Sequence, residues 1–426
     1  MDYQLTQLPN GLKVVTIPMQ DRETVAVAIW VRVGSRYEPL RSSGLSHFME
    51  HMLFKGTRRR STRQIKAEIE GVGGMLNAFT SEETTCFFAK VMKDHYSGAL
   101  DVLADMVNHA TLKPDEIRKE KTVIVEEIKM YQDLPSHEVF ELLGEMVWPN
   151  QPLGRNLAGS EKTVMSFTRP DVTKFKQRFY HPGNLVLSVS GPVFHEEILE
   201  QARSLFGDKP RHAVSRFPKA RISRRGPRTR FCDKETAQTH FVIGFHSVSR
   251  YHAYRYAVGL LSVMLGGNMS SRLYEELREK RGLAYEIRAG ASFLQDTGCF
   301  TVSAGVEPEK ATTAISVVLR ELGKICHSRM SERELRRAKD YFLTQLWMAL
   351  EDTLDHMLWA GERMVYSDDL PSLNSLRRGI EQVTVRDMQE AARQIFQTQN
   401  LHLALIGKLN AKQQRRIKES FVIPGA

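Results

Sequence analysis

The chain has 426 residues, of which 42% are hydrophobic and 26% are charged. This length allows two or three domains with substantial cores, and the composition is that of an ordinary soluble protein. No apolar run approaches the roughly 18 residues of a membrane span, which argues against a membrane protein. Residues 1–7 show neither the basic nor the apolar segment typical of secretion, so we expect a cytoplasmic protein.

The formal net charge of +10 raises the question of a nucleic-acid partner. Much of the excess lies in residues 209–230, which hold nine Lys or Arg and no Asp or Glu. This segment is interrupted by Pro and Gly and lacks a ladder of aromatic residues for stacking bases. We therefore expect a solvated basic linker and no nucleic-acid partner, with an anion-binding site as the weaker alternative.

Alternating apolar residues and turn signals predict strands in the first hundred residues, and two helices lie between them. The second of these helices begins with a capping box at Ser61 and Gln64. The predicted elements are a hairpin over residues 3–18, a buried strand over 24–33, a helix within 44–56, a helix from 61 to the glycines of 71–74, and strands over 75–80 and 84–92.

The helix within residues 44–56 contains the motif that suggests chemistry. His47 and His51 are four residues apart, so a helix places both imidazoles on one face, with Glu50 beside them. Many such His pairs only pack or face solvent. Here the neighbouring residues are strongly apolar, and a buried polar cluster without a partner would be unstable. Two imidazoles and a carboxylate suit a Zn²⁺ site in which Glu50 takes a proton from water.

Residues 94–148 show helical periodicity in three pieces, and the middle piece over 114–133 carries two unusual acids. Glu120 and Glu127 interrupt its apolar face, whereas Glu126 lies among the polar residues. Taken alone, this pair would indicate salt bridges to Lys or Arg. Together with the two histidines, it predicts Glu127 as the third metal ligand and Glu120 as an acid that orients the site or assists catalysis.

The chain then repeats itself. The strand at residues 184–191 recurs at 400–407, an offset of 216, with a similar helix in front of each copy. Two similar halves predict an α+β fold with two homologous domains, each a mostly antiparallel sheet with helices packed on one face. We place the first domain at 1–208, the basic linker at 209–230 and the second domain at 231–426.

The second half has no counterpart of the histidine motif. The helix expected at the equivalent position, residues 258–266, contains neither His nor Glu. Only the first domain is therefore predicted to bind a metal.

His-x-x-Glu-His is the inverse of the zincin motif, and the chain resembles the pitrilysin-type (inverzincin, M16) zinc metallopeptidases. The similarity is to the short two-domain members such as the β subunit of mitochondrial processing peptidase. In that family a glutamate ligand follows the second His by about 75 residues, and another acid precedes it by seven; Glu127 and Glu120 match both positions. The resemblance implies a zinc metalloendopeptidase with one Zn²⁺ per chain, acting on peptides or unfolded segments.

The resemblance also implies two substrate-binding elements. Arg278 and Tyr285 have the seven-residue spacing of the family's pair that contacts substrate and the developing oxyanion, whereas Arg281 does not fit that spacing. Without the resemblance, these would be ordinary surface residues. Residues 73–80 are similar to the family's edge strand, which a peptide extends by strand addition. Asn77, Ala78 and Phe79 would bind substrate there, although an ordinary strand is an equal alternative.

The short members of the family imply a dimer, with a second copy or with a related chain. The alternative function is a non-catalytic assembly or core subunit of a heteromeric complex, since such members exist in the family. Those members usually lose part of the motif that His47, Glu50 and His51 retain here. A nucleic-acid-binding protein that uses residues 209–230 is the second alternative.

Overall fold

The computed structural model of the chain describes residues 3–425, except 208, 209, 211, 223–225, 328 and 329. The predicted basic linker therefore lies partly outside the described residues. Strands occupy most of the positions that alternation predicts. They are β1 Gln4–Gln7, β2 Lys13–Pro18, β3 Thr24–Val31, β4 Met75–Thr80, β5 Thr85–Met92, β6 Leu185–Gly191, β7 Arg228–Cys232, β8 Thr239–Ser247, β9 Ala284–Phe293, β10 Gly298–Val306 and β11 Leu401–Ile406.

Helices connect and cover these strands. Across the described ranges, no helix is both long enough and apolar enough to cross a bilayer. The α-helices are α1 Leu45–Leu53, α2 Thr62–Glu70, α3 Tyr96–His109, α4 Pro114–Gln132, α5 Pro135–Val147, α6 Glu161–Ser166, α7 Arg169–Phe179, α8 His195–Phe206, α9 Arg255–Gly266, α10 Arg272–Tyr274, α11 Ala311–His327, α12 Glu332–Ala349, α13 Thr353–Tyr366, α14 Leu373–Glu381, α15 Val385–Ile395 and α16 Ala411–Ser420.

The described strands form two mixed sheets of the same topology. The first has the order β1-β2-β6-β3-β5-β4, and the second has the order β7-β11-β8-β10-β9. Strand β2 pairs with β6 in parallel, as β7 does with β11, and the other pairs are antiparallel. Without β1 the two orders correspond strand for strand. The α+β class and the homologous halves are confirmed.

The chain divides into two compact units that are not contiguous in sequence. The first consists of Met1–Ile128, Asn156–Pro218 and Leu346–Leu373, and the second consists of Lys129–Arg155, Lys219–Gln345 and Asn374–Ala426. Each unit thus contains a helix from the other half of the chain, α13 in the first and α5 in the second. The domain boundaries at residues 208 and 230, which divide the sequence into two halves and a linker, stay a prediction.

Strand β3 shows how the core of the first unit is layered. Its residues Val25, Val27, Ile29 and Val31 join the cluster formed with α1 and α3, while Ala26, Ala28 and Trp30 lie under α13 on the other face. A Cβ atom on Gly361 of α13 would stand 2.1 Å from Nε1 of Trp30, so glycine allows this close approach. The predicted helical layer is therefore accompanied by a helix on the second face of the sheet.

The second unit has the corresponding arrangement. Val139, Leu143 and Val147 of α5 pack with apolar residues of β8 and β11, including Val242 and Ala404. Burial of each large apolar side chain contributes roughly 1.5–3 kcal/mol. Each of the two helices is thus held by a sheet built from the other half of the chain.

Candidate metal centre

Helix α1 carries the histidine motif, and its start is fixed from several sides. Gly44 precedes it at φ 94°, and a Cβ atom there would stand 2.3 Å from the carbonyl oxygen of Ala158. The buried carboxylate of Glu38 accepts hydrogen bonds from the backbone N–H groups of Gly44 at 2.7 Å and Ser46 at 2.6 Å. These bonds satisfy N–H groups that the first helical turn leaves unpaired.

The three predicted ligand residues come together. The rings of His47 and His51 lie 4.7 Å apart between centroids. Nε2 of His47 is 3.7 Å from one carboxylate oxygen of Glu127, and Nε2 of His51 is 3.4 Å from the other. One ligand atom from each residue lies within 4.8 Å of the other two. Two imidazole nitrogens and a carboxylate oxygen form a typical donor set for zinc.

Helix α4 places Glu127 as its periodicity predicts. Ile124, Ile128 and Glu120 are buried on the side that faces the core, whereas Glu126 is exposed. Glu127 is half-buried between these two faces, next to the histidines. The helical period therefore predicted the different positions of the two adjacent glutamates 126 and 127, and the ligand role of Glu127 stays a prediction.

Glu120 holds His51 in place. Its carboxylate accepts a hydrogen bond from Nδ1 of His51 at 2.9 Å, and Nζ of Lys55 lies 2.7 Å from its other oxygen. With Nδ1 held by Glu120, His51 turns its other nitrogen, Nε2, toward Glu127 and His47, which is the orientation that a metal ligand needs. Lys55 was not among the predicted residues, because no local pattern in the sequence links it to an acid 65 positions later.

The electrostatics of the cluster favour a cation. Burial alone would lower the pKa of His51, but its hydrogen bonds to Glu120 and Glu127 raise the pKa to about 9. Burial and the neighbouring His51 lower the pKa of His47 to about 4. The hydrogen bond from His51 lowers the pKa of Glu127. The carboxylates of Glu120 and Glu127 thus stabilise positive charge at this position. A divalent ion bound to both imidazoles would provide that charge.

Glu50 lies on the same helix and is held by an edge strand. Its carboxylate accepts a hydrogen bond of 2.5 Å from the hydroxyl of Thr80 at the end of β4. Burial raises the pKa of Glu50 and outweighs the opposing hydrogen bond from Thr80. Thr80 is a second residue that the sequence did not single out, although it is the last residue of the predicted substrate-binding segment 73–80.

The predicted substrate strand lies at the edge of the first sheet. Strand β4 pairs with β5, and its exposed and half-buried residues alternate. Asn77 is exposed, and its Oδ1 accepts a hydrogen bond from the N–H group of Ala78 at 2.8 Å. The ring of Phe79 is 37% exposed and meets Trp30 edge to face at 5.6 Å. Such a strand offers backbone groups for pairing with an extended peptide.

Arg278 and Tyr285 lie side by side in the second unit. The guanidinium of Arg278 stacks 4.4 Å from the centre of the Tyr285 ring. It also donates a hydrogen bond of 3.2 Å to the backbone carbonyl oxygen of Tyr285. Tyr285 is 76% exposed. Arg281, the competing candidate, instead forms an ion pair with Glu276. The two residues are therefore neighbours in the structure, and their joint role toward substrate stays a prediction.

The cluster in the first unit stands alone in the part of the chain that the structure describes. No second group of three His, Cys, Asp or Glu side chains comes close enough there to share an ion. Helix α9, which includes residues 258–266, contributes buried apolar residues instead. A duplicated α+β fold with one inverted His-Glu-His motif defines a two-domain protein of the inverted zincin type.

The comparisons with known proteins identify the family. The family described as "Insulinase (Peptidase family M16)" matches residues 13–161, and "Peptidase M16 inactive domain" matches residues 166–342. A protein named uncharacterized zinc protease in Bacillus subtilis is 33% identical over 93% of this chain and 96% of its own length. One of the same name in Streptomyces coelicolor is 33% identical over 97% and 92%. The chain belongs to peptidase family M16.

Solved structures agree on the fold. A protease from Helicobacter pylori has a TM-score of 0.89 and 24% identity, covering 95% of this chain and 99% of that one. A structure described as a peptidase M16 inactive domain from Pseudomonas fluorescens has the same TM-score, with 18% identity and coverage of 96% and 99%. The description of the second family domain as inactive accords with the position of the metal-type cluster in the first half.

Proposed function

We propose that the protein is a zinc metalloendopeptidase that hydrolyses peptide bonds in peptides or unfolded protein segments. The observation that carries the proposal is the convergence of His47, His51 and Glu127, with the carboxylate of Glu50 on the same helix. Membership of a peptidase family and relatives named zinc proteases support the same function.

His47, His51 and Glu127 would hold one Zn²⁺ ion. When bound, zinc supplies a Lewis acid that polarises the scissile carbonyl and makes water acidic enough to react near neutral pH. Glu50 accepts a proton from the attacking water and passes it to the leaving amine, because it is a half-buried carboxylate next to His51 in the sequence and on the same helix as both histidines. Glu120 keeps Nδ1 of His51 protonated and so preserves the orientation of that ligand.

The substrate would bind as an additional strand. The edge position of β4 supports this, since an extended peptide can pair with its backbone, and Asn77, Ala78 and Phe79 would flank it. Arg278 and Tyr285 keep the role that the resemblance predicts, donating hydrogen bonds to the substrate carbonyl oxygen as it becomes negatively charged. A dimer with a second copy or a related chain is part of the same proposal.

The test is digestion of a mixed pool of unstructured peptides by the purified protein, read by mass spectrometry. We expect cleavage that a chelator abolishes and that added Zn²⁺ restores. Glu50→Gln should retain the metal and lose roughly 10²–10⁴-fold in turnover. Near-normal hydrolysis by this variant would refute the assignment of Glu50.

The same experiment addresses the alternative function. A zinc-loaded protein that leaves the whole pool intact, alone and after purification with any associated chain, would contradict the peptidase and favour the non-catalytic subunit. Metal content measured on the same sample shows whether the intact pool reflects missing zinc.

A further inference from the structure

Thr80 joins the edge strand to the carboxylate of Glu50. It is the last residue of β4 and lies opposite Thr85 across the hairpin. Its Oγ1 is 2.5 Å from Oε2 of Glu50 and 3.4 Å from Oγ1 of Thr85. The hydroxyl of Thr85 donates its own proton to the carbonyl oxygen of Val33 at 2.9 Å. Elements β4, β5 and α1 therefore meet at this chain of hydroxyl groups.

The distances determine where the proton of Thr80 points. A threonine hydroxyl has one proton to donate, and a carboxylate is the stronger acceptor and forms the shorter bond. At 2.5 Å, Glu50 is the acceptor. This bond fixes the position of Oε2 and uses one of its two lone pairs, while Oε1 takes no part in it.

The two side chains also differ in stiffness. A glutamate side chain rotates about three bonds, and Glu50 is only partly enclosed. The β-branched side chain of Thr80 has few rotamers, and its backbone is fixed by pairing with β5. The strand therefore imposes its geometry on the flexible carboxylate.

We propose that Thr80 is a positioning residue for Glu50, through which the strand that a peptide would extend also orients the catalytic base. The inference rests on the proposed function in treating Glu50 as the base. It adds a residue that holds the base and connects peptide binding at β4 to proton transfer. A base displaced by about 1 Å can slow a reaction by as much as 10²-fold.

The Thr80 hydroxyl is one of several uncharged groups beside Glu50. Tyr180 and Cys86 are buried close to Glu50, and burial, with the nearby negative charge, raises the pKa of both groups. Both therefore stay uncharged at neutral pH. Among the described residues, His51 and Glu127 of the metal cluster are charged groups whose electrostatic interaction shifts the pKa of Glu50.

The first experiment measures kcat and KM of zinc-loaded variants on one unstructured peptide. Thr80→Val keeps the branched shape and removes the hydroxyl, Thr80→Ser keeps the hydroxyl, and Thr80→Ala serves if the valine variant does not fold. Thr301→Val is the matched control, because Thr301 is likewise a half-buried strand threonine but lies in β10 of the second unit. We expect Thr80→Val to lower kcat by about tenfold or more with KM changed less than about threefold, and Thr80→Ser to remain within about threefold of wild type.

Two results would overturn the inference. One is a Thr80→Val kcat within about twofold of wild type; the other is equal impairment of the serine and valine variants, which would show that the methyl group matters. Zinc content should match wild type in all variants, because the hydroxyl of Thr80 bonds to Glu50 and Thr85, neither of which is a proposed ligand.

A second measurement does not depend on activity. In crystal structures of the zinc-loaded variants, the Glu50 carboxylate should move or become disordered in Thr80→Val and superpose on wild type in Thr80→Ser. An unmoved carboxylate in Thr80→Val would refute the inference. If wild type cleaves no peptide, the proposed function fails, and these structures alone decide the role of Thr80.

Discussion

His51 and Glu120 share a hydrogen bond of 2.9 Å between the imidazole Nδ1 and a carboxylate oxygen. This contact does more than join two helices, because it fixes which nitrogen of His51 faces Glu127. The acid is 3% exposed, and a buried carboxylate needs charged or hydrogen-bonding partners. Lys55 supplies the second partner at 2.7 Å. A run of contacts thus extends from the protein interior to the proposed metal ligands.

Glu127 and the adjacent Glu126 provide a direct test of the ligand set. Glu127→Gln should lower zinc affinity by at least tenfold and abolish hydrolysis, because the amide oxygen carries no charge to offer the ion. Glu126→Gln, one position away and exposed, should change neither property. Zinc titration with a competing chelator measures both affinities. Full zinc affinity in Glu127→Gln would remove this residue from the ligand set.

Lys55 and Glu120 should act on the metal without touching it. Lys55→Met leaves one oxygen of Glu120 without its charged partner, and Glu120→Gln weakens the hydrogen bond to His51. Each change should reduce zinc affinity by roughly 10–100-fold, as expected for residues that orient a ligand. Lys55→Arg retains the charge and should lose less than Lys55→Met. Equal losses in both Lys55 variants would show that the charge is unimportant.

The residues that the sequence predicted and those that it missed differ in a physical way. Periodicity along α4 separated Glu127 from Glu126, because the helical repeat fixes which face of the helix a residue occupies. The same holds for the His pair on α1. Thr80 and Lys55 were missed because their contacts join different elements, and no short-range pattern encodes a partner 30 or 65 positions away.

The sequence predicted the two sheets but not which helices cover them. The repeat at residues 184–191 and 400–407 correctly indicated two equivalent sheets, since buried strands β6 and β11 occupy matching places in them. The packing of α13 on the first sheet and of α5 on the second was not foreseen. An amphipathic helix shows in its sequence that one face will be buried, but not which sheet will cover it.

Glu38 should stabilise helix α1, which carries His47 and His51. Its two oxygens accept the N–H groups of Gly44 and Ser46, so Glu38→Gln replaces one acceptor by a donor and removes the favourable charge at the helix start. We expect a loss of about 1–3 kcal/mol in the free energy of unfolding. Thermal unfolding of the metal-free protein measures it, with the exposed Glu82→Gln as the control. An unchanged midpoint in Glu38→Gln would contradict this role.

Asp105 should make stability depend on acid pH. It is 1% exposed, its carboxylate lies 3.0 Å from both Arg60 and His109, and it accepts a hydrogen bond of 2.6 Å from Thr57. Burial acts to raise the pKa of Asp105, but these partners outweigh it and lower the pKa below its ordinary value. The ionised form is therefore favoured in the folded state. Its stabilisation is fully present above the unfolded pKa of about 3.9 and is lost as pH falls from there through the lower pKa of the folded state.

Asp105→Asn should consequently destabilise the protein most at neutral pH. Removing one partner of a buried charge cluster costs about 3 kcal/mol, which corresponds to a fall of roughly 6–12 °C in the pH 7 melting temperature of a unit of about 220 residues, the size of the first unit. The difference from wild type should shrink below about pH 4, where the wild-type carboxyl also becomes protonated. Asp115→Asn, whose partner Arg118 is equally exposed, should melt like wild type at every pH. A difference between Asp105→Asn and wild type that stayed constant from pH 7 to pH 3 would show that the charge of Asp105 does not stabilise the fold.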